Sequence, residues 1–286
     1  MNKLDNYSVE CFVLYHIIGG GVMEEKNNLE ILLSEVLADF FNTYEIKPYP
    51  INIIITSNLV EEYFRLRPDF VGKMDGEEQV KNFNGLMVAP IEFEGQFTIL
   101  LNAQYVCKQV QDGKFDFVGT LVHEATHIND FMQYSKIIEI QDYNFILDRS
   151  KNRLFHYWTE YNAKKRGYYF LRKYIFSNNM KDRQAYSYIM KTELPFHIDY
   201  LVEKFNSTDS IDEQMYCTVH FLGRLSVWQD LFPNDFTDKV MKQIFGSNMW
   251  VYDLYKFFRR YPELKDIYAH FDEMKRIIQQ NYPYFD

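Results

Sequence analysis

Between Phe117 and Met132 apolar residues return at three- and four-residue steps: Phe117, Val118, Leu121, Val122, Ala125, Ile128 and Met132. A stripe this broad predicts a helix buried along much of its circumference, and such a helix needs apolar surfaces from elsewhere in the chain to cover it. Upstream, Asn28–Tyr44 carries a narrower helical stripe, and Ile51–Thr56 is a β-branched run after Pro48 and Pro50. Two more apolar runs, Leu86–Phe93 and Phe97–Ala103, flank Glu94-Gly95 and predict a hairpin. Beyond Asp142 strand signals fade, and Leu154–Ile175, Ala185–Phe205, Met215–Leu231 and Leu264–Gln280 read as helices, broken at Ser207–Ser210 and at Pro233–Asn234. With only 12 glycines and 8 prolines in 286 residues, long helices meet few interruptions. The expectation is an α+β fold. Residues 1–135 form a mixed part with a small sheet, and residues 136–286 form a helical part packed on it as one body.

Composition narrows the function classes. At 47% hydrophobic and 25% charged residues the chain has the make-up of a soluble globular protein. Its net charge of −9 opposes a surface that tracks phosphate backbones. The basic stretch from Arg149 to Lys173 flanks aromatic residues without a nucleic-acid reader motif, so a solvated helix face is expected there. Cys11, Cys107 and Cys217 are odd in number and form no C-x-x-C pattern, which suggests reduced thiols. The apolar run Cys11–Met23 is too short to span a bilayer, is interrupted by His16 and Gly19-Gly20-Gly21, and lacks a basic leader. The glycine triplet has no following Lys-Ser/Thr and reads as a turn. A cytoplasmic protein with no membrane and no nucleic-acid partner is expected.

The chemistry is concentrated in the buried stripe. His123-Glu124-Ala125-Thr126-His127 is an H-E-x-x-H sequence on a predicted helix. Histidines four residues apart share one helical face about one turn apart, so both imidazoles can address one tetrahedral ion. Glu124 is displaced around the helix, which suits a carboxylate that leaves the metal free and activates water beside it.

With Thr120-Leu121-Val122 before the motif, uncharged Ala125-Thr126 inside it and Ile128 after it, the sequence resembles the zinc metallopeptidases of the zincin fold. Asn129 departs from that signature, which has a hydrophobic residue there. The layout from Ile51 to Ile175 looks most like the small ImmA/IrrE-type peptidases. The resemblance implies a hydrolase: a zinc metalloprotease that cuts a peptide or protein. His123 and His127 would be metal ligands, Glu124 the catalytic base and Zn²⁺ the cofactor. The gluzincins, which take a third ligand from a downstream glutamate, suggest Glu160, 33 residues past His127.

One observation outside the resemblance favours Glu160: between Arg149 and Lys173 it is the only acidic residue, among eight cations and several aromatics. A lone carboxylate in such surroundings is well explained by a metal that compensates its burial. Ala163 and Gly167 would let its helix approach the motif helix closely. Two competitors stand beside it. Asp130 lies one turn past His127, as a ligand or as a residue that hydrogen-bonds a ligand imidazole or caps a polar network, and His156 lies one turn before Glu160. The donor for a developing oxyanion stays open among Tyr157, Tyr161, Tyr168, Tyr169, Tyr200, His220 and Arg224. The segment Gln96–Asn102, if it is a sheet edge, could take an extended peptide by strand addition. The alternative to an enzyme is a catalytically silent, zinc-stabilised regulatory or binding protein of the same fold. The intact Glu124 argues against it, because a structural site needs no base.

Overall fold

The computed structural model describes residues 23–71, 80, 83–176, 181–246 and 248–285, with side chains from residue 29 onward. The run from Cys11 through Val22, with His16 and the glycine triplet, lies outside them. The chain divides into a unit ending at Ile128 and a unit beginning at Asn129. It is α+β: thirteen α-helices among the described residues accompany one three-stranded sheet. None of the described helices is long and apolar enough to cross a membrane.

In the first unit the helix Met23–Thr43 buries Leu33, Val36, Leu37, Phe40 and Phe41 on the stripe expected for Asn28–Tyr44. Strand β1 (Ile51–Thr56) is buried at five of its six positions, as a β-branched run with no alternation predicts for a strand covered on both faces. Strand β2 (Gly85–Val88) pairs antiparallel with β3 (Phe97–Asn102), in register Gly85↔Leu101 to Val88↔Thr98. The expected hairpin therefore forms, but its first strand stops at Val88 because Pro90, which lacks an N–H, follows within two residues. β1 runs parallel to β3, from Ile51↔Phe97 to Thr56↔Asn102, so the strand order is β1-β3-β2. This corrects the expectation for Gln96–Asn102: β3 is the central strand, with a partner on each side, and the edge facing away from β1 belongs to β2.

Two short helices frame the sheet. Leu59–Leu66 is capped by Asn58, whose side chain accepts the Glu61 N–H, and packs Leu59 and Tyr63 with Ile54, Val88 and Leu100. Ala103–Gln111 starts directly at the end of β3, where Asn102 accepts the N–H groups of Gln104 and Tyr105. The predicted buried helix is Asp116–Ile137, here the motif helix, and it runs through the boundary between the units.

The second unit is helical throughout. Arg149–Phe176 covers the expected Leu154–Ile175 and is kinked at Asn152 (φ −124°, ψ 29°), whose side chain donates to the Phe145 carbonyl and accepts from the Tyr134 hydroxyl. Ile211–Leu231 packs along it, and at Gly223 the two lie close together. A β-carbon there would lie 2.8 Å from the Tyr161 carbonyl oxygen and 3.0 Å from the Lys165 nitrogen. Both are backbone atoms and cannot swing aside, so Gly223→Ala should push the helices apart and destabilise the protein by about 1–3 kcal/mol. Chemical denaturation checks this; an unchanged midpoint would refute the close contact.

The expected Ala185–Phe205 helix is divided into Arg183–Tyr188, a π-helical turn Ile189–Glu193, and Leu194–Ser207 with Pro195 in its first turn. Leu264–Gln280 is likewise two helices, Leu264–Tyr268 and Phe271–Gln279, separated at Ala269-His270. The predicted break at Ser207–Ser210 holds, with Ser210 capping Ile211–Leu231 through the Glu213 N–H. Tyr143–Leu147, Asp238–Phe245 and Met249–Arg260 complete the unit.

Candidate metal centre

On the motif helix Phe117, Val118, Leu121, Val122, Ala125 and Ile128 are all fully or almost fully buried. That burial fixes the rotation of the helix and therefore the direction of the histidines. His123 and His127 bring their Nε2 atoms to 3.0 Å, with rings nearly perpendicular and centroids 4.6 Å apart. Two nitrogens bound to one tetrahedral zinc at about 2.0–2.1 Å stand about 3.3 Å apart. The spacing thus suits a shared cation, and the donor set, two imidazoles on consecutive turns, suits zinc. A single proton between two neutral rings is the other arrangement such a pair can hold.

Glu124 is buried, and its Oε2 accepts the Met87 N–H of β2 at 2.8 Å. Strand and helix touch nearby as well: a β-carbon on Gly85 would lie 2.6 Å from the Thr120 methyl. The Tyr49 hydroxyl donates to the Ala125 carbonyl at 3.0 Å, within the motif itself. A backbone donor thus orients the Glu124 carboxylate, as suits a group placed to act as a base.

In the second unit Glu160 lies on Arg149–Phe176, partly buried, and its Oε2 is 2.9 Å from Nε2 of His220 on Ile211–Leu231. The other residues weighed from sequence are placed as follows. Asp130 is almost wholly buried and accepts from Thr159 Oγ1 at 2.8 Å and from Asn162 Nδ2 at 3.0 and 3.2 Å. His156 is buried against Phe131 and Phe155, and its Nε2 meets the Ile146 carbonyl at 2.8 Å. Tyr157 donates to Asp212, Tyr161 pairs with Ser226, and Tyr168 donates to Glu193 while accepting from Trp228. Burial raises the pKa of all three phenols, that of Tyr161 to about 12, and so keeps them protonated.

The basic run around Glu160 is met by carboxylates: Lys151 by Asp148 three residues before it, and, from other segments, Arg153 by Asp212, Lys165 by Asp230 and Arg172 by Glu193. Sequence spacing had no means of joining Glu160 to His220, 60 residues away. Only the packing of two long helices does so. Cys107 and Cys217 are both free thiols.

One partly buried group gives a pH signature. Burial, with Arg224 and Lys164 adding like charge, pushes His197 down to about 3. Its folded pKa thus lies below its ordinary value of about 6.5, so as pH falls the unfolded chain takes up this proton first. The stabilisation is complete above about pH 6.5 and is lost progressively toward pH 3. Urea midpoints should fall across that window, and His197→Gln should flatten the fall. Equal slopes for both proteins would overturn the assignment.

No family model matches this sequence, and neither a curated protein nor a solved structure matches it significantly.

Proposed function

We propose that the chain is a zinc-dependent peptidase of the zincin type, acting on a peptide or protein, with His123, His127 and Glu160 as the metal ligands. The observation that carries this reading is the convergence of the His123 and His127 Nε2 atoms while Glu124, one residue along, faces β2. Zinc held there would supply a Lewis acid for a peptide carbonyl and for water. Glu124, oriented by its Met87 contact, would take a proton from the attacking water and return it to the leaving nitrogen. Met87 belongs to β2, the outer strand of the β1-β3-β2 order. An extended substrate added along β2 would run beside the base, with main-chain bonds fixing its register. Glu160 balances one charge of the ion and is itself oriented by His220.

Metal analysis of the purified protein tests this reading. One zinc per chain, with peptide hydrolysis lost to a chelator and restored by zinc, supports it. A protein that binds no zinc, or an activity indifferent to chelation, overturns it.

A further inference from the structure

Beside His220 the second unit holds a cavity of ≈200 Å³, lined among others by Phe196, His197, Tyr200, Tyr216 and Arg224. It is smaller than the roughly 300–1,000 Å³ pockets that take drug-sized ligands, and its size suits about one amino-acid residue. Its walls come from the early turns of Leu194–Ser207 and from the middle of Ile211–Leu231. Phe196, Tyr200 and Tyr216 are exposed at the mouth, and Tyr216 packs on the His220 ring with centroids 4.0 Å apart.

Arg224 sets the chemistry of this cavity. Its one hydrogen bond is from Nη1 to the His220 carbonyl, at 3.4 Å, and among the described residues no carboxylate lies within ion-pair distance of it. Glu193, the carboxylate that acts on it from farther away, is bonded to Arg172 and Tyr168. Lys164 adds a further positive charge on the His197 side. A partly buried guanidinium without a contact counterion has its charge poorly compensated, and burial accordingly lowers its pKa. A planar carboxylate satisfies a guanidinium through two parallel bonds, and the aromatic walls beside it suit an apolar side chain.

We infer that this cavity binds the C-terminal carboxylate and last side chain of a peptide, with Arg224 as the carboxylate receptor and Phe196, Tyr200 and Tyr216 around the side chain. Resting on the peptidase reading, the inference also sets where cleavage falls. Arg224 lies one helical turn, about 6 Å, from His220, which holds Glu160. A free C-terminus held at Arg224 therefore places cleavage near the end of the peptide.

Binding is measured first, on chelator-treated protein, so that metal and turnover play no part. N-acetyl-phenylalanine should bind at least roughly tenfold more tightly than N-acetyl-phenylalaninamide. Arg224→Gln should abolish that preference, and Arg224→Lys, which keeps the charge and loses the fork, should retain part of it. Equal binding of acid and amide, or a preference that survives in a folded Arg224→Gln protein, overturns the inference. Inorganic phosphate displacing the acid at lower concentration overturns the carboxylate assignment. With zinc restored, a peptide with a free C-terminus should be cut at least tenfold faster than its amidated twin. Equal rates overturn the placement, whereas failure to cut either one overturns the peptidase reading and leaves the cavity to the binding result.

Discussion

Glu124→Gln protein is expected to bind zinc as the wild type does and to hydrolyse peptide at least about a hundredfold more slowly. The substitution changes little but basicity. Glu124 sits buried on the motif helix and accepts one backbone bond, from Met87, and a glutamine amide oxygen of the same shape can accept it too. The fold and the convergence of His123 and His127 are therefore kept, while the group that receives a proton is lost. A hundredfold corresponds to about 2.7 kcal/mol of transition-state stabilisation. Zinc content, thermal stability and kcat measured on one preparation check the prediction together. Near-normal turnover would remove Glu124 from the base role, and loss of zinc would make it a ligand. A silent binding protein would show no turnover before or after the substitution.

How much of this was legible in the sequence differs from element to element. The motif helix was legible because its stripe is broad and its interior is apolar, so burial and periodicity give the same answer. β1 was legible as a β-branched run and β3 as an apolar one, and the Ser207–Ser210 break as a cluster of capping residues that ends one helix and starts the next. The place of β3 was not, because which strand is central depends on pairing between segments more than forty residues apart. The π-helical turn Ile189–Glu193 was hidden for a different reason: one extra residue in a turn barely disturbs the apolar spacing on either side of it. At the site, local signals gave His123, Glu124 and His127. The Glu160–His220 contact, the bonds from Thr159 and Asn162 to Asp130, and the Arg224 cavity all depend on helix packing that no local pattern encodes.

Replacing Glu160 should have the largest effect on metal binding of any residue outside the motif. Two neutral imidazoles and one carboxylate leave zinc a net charge of +1 and one open position, which is what acidifying water requires. On the proposed ligand set Glu160→Ala removes both the charge and the third donor, so zinc affinity, read by competition with a chromophoric chelator, should drop strongly. Glu160→Gln keeps a neutral oxygen donor near His220 and should lose less affinity than the alanine protein while still failing in catalysis. The comparison residues separate this from a general loss of structure. Asp130 is a buried acceptor shared by Thr159 and Asn162, so Asp130→Ala should cost stability, and about ten- to a hundredfold in affinity or activity if that network supports a ligand. His156 has its Nε2 on the Ile146 carbonyl, so His156→Ala should disturb packing and leave zinc affinity nearly unchanged. Full zinc affinity and activity in the Glu160→Ala protein, with metal lost instead from Asp130→Ala or His156→Ala, would move the third ligand and end the likeness to gluzincins.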